Sequence, residues 1–354
     1  MAVGESRRML LVGFLVTVFF SVPLLGIATS GLNAFTDELE WVAEPRYSHN
    51  SPDMNEPGFQ AGSIFTDVTL SADYRHTCAI LDDASLKCWG FNGNGELGTG
   101  GTTNQTTPQS EVDFGTEGGA VAITTGGYYT CAILTVGSTK CWGGNGNGQL
   151  GIGSTTNQNT PQSVDFGSGR TAVVIDAGHY HTCAILDDAS LRCWGYNAFG
   201  GLGIGNFGGS ATSPQAVNIG SDVVSIAAGT DHTCAILDDG TLKCWGHNSN
   251  GQLGLGCCDS EQSANHNTPQ SVDLGSGRTA VAVSLGPSHT CAILDDGTLK
   301  CWGGNWAGQL GNGWSGGSGI PYPYPVDLGE GRSAVAVSAG SYNTCAILDD
   351  GTLK

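Results

Sequence analysis

Basic residues are scarce in this chain. Thirteen Lys and Arg stand against 32 Asp and Glu, a formal net charge of −19 over 354 residues. Phosphate backbones are gripped by Lys and Arg, so this balance argues against DNA or RNA as a partner. Charge of either sign is thin, at 13%, and Ala, Glu and Lys are too few for a long helical bundle. Glycine is plentiful, at 57 residues, yet lacks the strict every-third-residue period of collagen. The low charge does not signal disorder, because 39% hydrophobic content with eight Trp is too high for an unfolded chain of this acidity. No matched nucleophile and acid–base pair stands out, and no Cys-x₂–₄-Cys cluster of the common zinc type is present.

What is there begins with an apolar run from Met9 to Ala28, preceded by Arg7 and Arg8 and followed by Asp37, Glu38 and Glu40. About 20 apolar residues can span a bilayer as a helix, while a cleaved signal has a shorter apolar region of about 7–15. Residues 1–30 are read as a signal peptide or a transmembrane signal anchor, with residues 9–28 as the membrane segment if uncleaved. Ile27–Gly31 offers small residues for cleavage. Basic residues before the run and acidic ones after it place the rest of the chain outside, where disulfides persist. The expected location is therefore extracellular or at the cell surface, anchored or secreted. Residues 31–60, with Pro45, Pro52 and Pro57 among Ser, Asn and Asp, read as a polar linker.

The remainder, 61–354, is one unit repeated six times. The first Cys of each copy stands at 78, 131, 183, 234, 291 and 345, at intervals of 53, 52, 51, 57 and 54 residues. In five copies a second Cys follows ten residues later, at 88, 141, 193, 244 and 301, with Trp-Gly directly after it. A Gly-x-Leu-Gly element closes the unit, as in Gly148–Gly151 and Gly251–Gly254. Short Val-rich stretches such as 280–284 and 334–338 predict strands. The turn Asp238-Asp239-Gly240 predicts a three-residue hairpin loop with glycine in the left-handed position. In that register Leu237 pairs with Thr241 and Cys234 falls opposite Cys244, close enough for a disulfide. The same reasoning pairs Cys78 with Cys88, Cys131 with Cys141, Cys183 with Cys193 and Cys291 with Cys301. The Pro-bearing stretch 268–275 supplies an outer edge strand. Four strands per unit of about 50 residues, with no helical pattern, predict an all-β fold, a β-propeller. A β-solenoid is the competing reading, and the antiparallel hairpin argues against it.

At Gly229-Thr-Asp-His-Thr-Cys-Ala-Ile-Leu237 and Cys244-Trp-Gly-His-Asn-Ser-Asn-Gly-Gln-Leu-Gly254 the chain resembles the regulator of chromosome condensation repeat family. The resemblance covers roughly residues 62–354. It implies seven blades in a complete protein, whereas about five and a half fit here. The last copy stops one residue before its expected Cys, which leaves Cys345 without its partner and makes this sequence read as a C-terminally truncated fragment. The resemblance also implies two activities as alternatives: guanine-nucleotide exchange or GTPase regulation, and enzyme inhibition, as in a bacterial relative that inhibits β-lactamases. A shared fold licenses neither by itself.

Several candidate sites have plain structural explanations. The His76-x-Cys78 element with Cys88 could gather zinc ligands, but Tyr129 and Asn343 replace the His in two copies, so disulfides are expected and no metal. The histidines at 76, 181, 232 and 289 read as hydrogen-bonded supports rather than a catalytic ring, and the doubled Asp residues as turn chemistry rather than calcium ligands. Departures from the repeat are more informative. One inserts Cys257 and Cys258; another carries Trp306, Trp314, Tyr322 and Tyr324 in a Gly/Pro-rich loop suited to a protein or a sugar ring. Asn104-Gln-Thr106 is the one glycosylation sequon. The expected function is a membrane-tethered or secreted propeller that binds a protein or glycan through loops on one face, with no cofactor and no catalysis. An enzyme with its site in absent or inserted segments is the remaining alternative.

Overall fold

The computed structural model describes residues 69–354, except 109, 168, 257–263 and 317–318. The apolar run 9–28, the linker 31–60 and the Cys257–Cys258 pair lie outside the described residues. All regular structure among the described residues is β, arranged as six antiparallel sheets in chain order. The first is β1 (Thr69–Asp73), β2 (His76–Ile80) and β3 (Leu86–Gly90), extended by single bridges from Lys87 to Glu111 and from Gly90 to Gln105. The second runs β4 (Ala120–Thr125), β5 (Tyr129–Leu134), β6 (Thr139–Gly143) and β7 (Gln158–Ser163). The third runs β8 (Ala172–Ala177), β9 (His181–Leu186), β10 (Leu191–Tyr196) and β11 (Ser210–Val217), and the fourth β12 (Val223–Ala228), β13 (His232–Leu237), β14 (Leu242–Gly246) and β15 (His266–Ser271). The fifth runs β16 (Ala280–Leu285), β17 (His289–Leu294), β18 (Leu299–Gly303) and β19 (Ile320–Pro325), and the sixth holds β20 (Ala334–Ala339) and β21 (Thr344–Leu348).

The blades follow from the repeat. The second strand, typically His-Thr-Cys-Ala-Ile-Leu, is buried along its whole length in the middle blades. Both its faces are covered because each blade packs against a neighbour on either side. The core is accordingly split into five clusters, each spanning two consecutive blades, such as Ile236 and Leu242 with Val283 and Trp302. The fourth strand carries Pro269 or Pro321 and is largely open to solvent, as an edge strand with missing donors must be. A register shift between Ala280 and Ala282 leaves Val281 unpaired in the first strand, and it is 58% exposed.

The hairpin register is the one the turn demands. Cys234 sits opposite Cys244, Leu237 N–H donates to Thr241 O at 3.0 Å, and Gly240 has φ +78°. The outer strand β15 begins at His266, two residues ahead of the Pro-bearing stretch read from the sequence.

Candidate functional site

Two parts of the repeat meet where one blade abuts the next. Trp142, Trp194, Trp245 and Trp302 are fully buried, and each indole N–H donates to a carbonyl of the preceding blade. Those carbonyls belong to Glu96, Gln149, Gly201 and Gln252, at 2.8–3.0 Å, within the Gly-x-Leu-Gly elements. The closing glycine of that element lies against the same indole. A Cβ on Gly151 would meet Trp194 Nε1 at 2.6 Å, so this position excludes any side chain. By area, burial of one such ring contributes about 4–6 kcal/mol.

The repeated histidines join the same seam. His76, His181, His232 and His289 each place Nε2 at 2.8–3.0 Å from a Thr hydroxyl of the next blade: Thr130, Thr233, Thr290 and Thr344. Each of those hydroxyls gives its single proton to a Gly-x-Leu-Gly carbonyl at 2.7–2.9 Å. The Thr oxygen must therefore accept from the imidazole, which fixes the Nε2–H tautomer. Nδ1 of His76, His232 and His289 is left buried and unpartnered. Burial holds all four rings neutral, with pKa values lowered to about 4, 4, 3 and 4 in chain order. Tyr129 takes the place of a histidine in the second blade, its hydroxyl donating to His181 O at 2.6 Å and lying 2.9 Å from Thr182 Oγ1. These groups are supports between blades and have no reacting geometry.

One end of the hairpins is different. The residue before each support histidine accepts, through its carbonyl, the N–H of the residue after Trp-Gly. The pairs are Arg75 with Phe91, Tyr128 with Gly144, Tyr180 with Tyr196, Asp231 with His247 and Ser288 with Gly304, at 2.7–2.9 Å. The backbone bond is constant while the side chains change from blade to blade. This end lies opposite the Asp-Asp turns, since the two cap opposite ends of the same hairpins. Here the rings form a continuous band: Tyr74, Tyr128 and His179 lie 5.5–5.8 Å apart, His179 is 4.2 Å from Tyr180, and Tyr196, Phe199 and His247 follow at 6.1, 6.3 and 4.6 Å. The band borders a central cavity of about 610 Å³, to which all six blades contribute, with Asp73, Tyr74, Asp176, His179 and Tyr342 among its lining residues.

The residues singled out by sequence fall in different places. All five hairpin disulfides are formed, with Cα–Cα distances of 4.1 Å: Cys78–Cys88, Cys131–Cys141, Cys183–Cys193, Cys234–Cys244 and Cys291–Cys301. Cys345 is free. Trp306 lies over Gly304, close to Ser288, and so belongs to the variable end. Tyr322 and Tyr324 stand exposed on the outer strand β19, and Trp314 is exposed in the preceding loop, its carbonyl accepting from Asn305 at 2.9 Å. The four aromatics do not form one cluster. Asn104 is exposed, and its Oδ1 accepts the Asn92 N–H at 2.9 Å, a loop bond that Asn157 and Asn265 repeat in other blades. The second Asp of each turn accepts the N–H two residues on, as Asp239 does from Thr241 at 2.9 Å. Arg170, Arg278 and Arg332 clamp three of the Asp pairs and offset the negative charge that the doubled aspartates place at that end. Among the described residues no group of three or more His, Cys, Asp or Glu could hold a metal ion.

A family profile described as the RCC1-like domain matches residues 37–354. The chain belongs to the RCC1-like domain family. Among relatives of this RCC1-like chain is the ultraviolet-B receptor UVR8 of Arabidopsis thaliana, 31% identical over 293 residues, covering 81% of the chain and 64% of the receptor. The mitochondrial RCC1 domain-containing protein RUG3 of the same plant is 30% identical over 267 residues, covering 73% and 58%. The chain thus spans less than two thirds of these relatives. Yeast RCC1 (Prp20), solved bound to Kap60, superposes with a TM-score of 0.69 at 21% identity, covering 81% of this chain and 69% of that one. The RCC1-like architecture is a non-helical propeller scaffold, and the band of rings is the part of it that the repeat does not dictate.

Proposed function

We propose that this RCC1-like propeller is an exported, secreted or membrane-tethered scaffold that binds a protein or glycan through the variable end of its blades, without catalysis. The observation that carries the reading is the contrast within one hairpin. Cys, Trp and Gly repeat because they build the scaffold. The two backbone-paired positions at one end hold Arg75, Phe91, Tyr128, Tyr180, Tyr196, Asp231 and His247. Rings on a rigid frame give contact area at small entropic cost, which suits recognition. Five disulfides are consistent with an oxidising compartment. The segments 1–30 and 31–60 serve in this reading as export signal or anchor and as spacer, and Asn104 is the candidate glycosylation position.

The test is proximity labelling around the full-length chain at the cell surface, alongside a glycan array, for the native sequence and for two variants. One carries Tyr128→Ala, Tyr180→Ala, Tyr196→Ala and Trp306→Ala; the other Trp314→Ala, Tyr322→Ala and Tyr324→Ala. The first variant is expected to lose most of the labelled partners or glycan signal while keeping its five disulfides. Undiminished binding by the first variant would overturn the assignment to this end. Reduced thiols in a cytosolic protein would overturn export and favour the exchange-factor alternative.

A further inference from the structure

The ring of positions before the support residues holds a cation at one place and the means to hold one at another. Arg75 rests with its guanidinium carbon 4.9 Å from the Tyr74 ring centroid, 5.3 Å from Phe91 and 5.8 Å from Tyr128. That is a cation–π arrangement whose cation comes from the same chain. Two to three blades further round, Tyr180, Tyr196, Phe199 and His247 continue the band. Asp231 stands among them: its carbonyl accepts the His247 N–H at 2.9 Å, and its charge acts on the Tyr180 phenol. No Lys or Arg among the described residues pairs with the Asp231 carboxylate, whereas Asp187, Asp295 and Asp349 at the opposite end each have an arginine.

We infer that Asp231, with the rings of Tyr180, Tyr196, Phe199 and His247, forms a recognition site for the guanidinium of an arginine presented by a partner protein. The proposal rests on the reading of this end as the partner-binding one and names the chemistry of the partner. A carboxylate within electrostatic reach of aromatic rings offers a guanidinium both of the contacts it takes, an ion pair along its edge and stacking on its plane. Lysine offers only the point charge. The neighbours leave that charge unopposed. Gln252 Nε2 donates to His247 Nδ1 at 2.9 Å, which makes that nitrogen an acceptor, and desolvation lowers the imidazole pKa so that the ring stays neutral. Desolvation likewise raises the Tyr180 pKa and pushes that of Asp231 up to about 6, the mark of a carboxylate drawn out of water with no counter-ion beside it. The excess of 32 acidic over 13 basic residues favours approach of a basic segment.

The test titrates the full chain, by calorimetry or NMR, with the peptide N-acetyl-Gly-Arg-Gly-amide and with its citrulline and lysine analogues. Citrulline keeps the shape of arginine and removes the charge. The arginine peptide is expected to bind with a dissociation constant on the order of millimolar, and the citrulline peptide about tenfold more weakly. Asp231→Asn should abolish that tenfold difference, and Tyr180→Leu should weaken the arginine peptide several-fold. Asp239→Asn, at the opposite turns, should change nothing. A thermal midpoint in Asp231→Asn at or above that of the native chain, as removal of a desolvated charge predicts, shows that the loss is local. Equal binding of the arginine and citrulline peptides, or full arginine binding by Asp231→Asn, overturns the inference. If the arginine peptide fails to bind while partners are still lost in the Tyr128, Tyr180, Tyr196 and Trp306 variant, the arginine site falls and the partner-binding end stands. If neither effect is seen, both fall.

Discussion

At the scale of single residues, two alanines stand out. Ala84 and Ala189 are the non-glycine residues with positive φ among the described positions, at +65° and +60°. Both occupy the third place of an Asp-Asp-x turn, where the other units have glycine, as at Gly240 and Gly297. The hairpin register requires the left-handed conformation there whatever the residue, and an L side chain in that region costs about 1 kcal/mol or more. Part of this is offset because glycine loses more freedom on folding. Ala189→Gly is therefore expected to stabilise the protein by about 0.5–1 kcal/mol, read as a higher urea midpoint. The reverse change is harsher. At Gly240 an added Cβ would stand 2.5 Å from Thr279 Cβ, so Gly240→Ala should lower the midpoint by more than Ala189→Gly raises it. An unchanged midpoint in both variants would mean that the turn is not under this strain. Such positions were legible in the sequence because Asp-Asp-Gly has one favoured geometry. The Asn after each Trp-Gly was less legible. Asn145 accepts from Leu150 N–H and donates to the carbonyls of Ser154 and Thr156; the same five-residue offset recurs at Asn92, Asn197, Asn248 and Asn305, but the bonds close a loop and so leave no strand or helix period to read.

At the scale of the element, the hairpin is where the sequence was most informative. A fixed turn and an alternation of period two leave one register, and that register sets the cysteines of each pair opposite one another. The variable band was not legible in the same way. Its members, from Tyr74 to His247, follow one another at 1 to 54 positions along the chain, and those on different blades meet only because consecutive blades present the same hairpin end side by side. The signal available was indirect: Arg75, Tyr128, Tyr180, Asp231, Ser288 and Tyr342 vary in a place where the neighbouring residues repeat. The Gly/Pro-rich loop with Trp306, Trp314, Tyr322 and Tyr324 stands apart by composition, yet β19 carries two of these away to the outer edge. The disulfide within each hairpin constrains a short loop of the unfolded chain. Replacing Cys183 and Cys193 together by Ala should cost about 2–3 kcal/mol on the chain-entropy account. Chemical denaturation in the absence of reductant measures this. The blade should remain folded, because Trp194 and the Thr182 bond to Gln149 O are untouched. A loss below about 0.5 kcal/mol would assign hairpin stability to blade packing alone.

At the scale of the whole molecule, the blades are fastened to one another by groups that respond to acid. Four buried histidines, each bonded to a Thr of the next blade, have pKa values depressed from 6.5 to about 4, 4, 3 and 4. The unfolded chain therefore binds protons at these sites below pH 6.5 while the folded chain does not until near pH 4. Stability present above pH 6.5 is lost as the pH falls through this window, at about 1.4 kcal/mol per pH unit for each histidine. Asp231 acts in the opposite sense. Its pKa is raised to about 6, so the folded state takes up its proton first, and the slope of one histidine is offset between roughly pH 6 and 4. The net loss between pH 6.5 and 5 is on the order of 6 kcal/mol, comparable to the whole stability of many domains. The propeller should therefore unfold in mild acid, its urea midpoint falling steeply below pH 6. His232→Asn places in the fourth blade the residue that Asn343 supplies in the sixth. It should be less stable at pH 7 but decline more gently with acid, so that the two midpoints converge near pH 5. Parallel pH profiles for the two proteins would show that the seam between blades does not titrate, and that acid acts elsewhere.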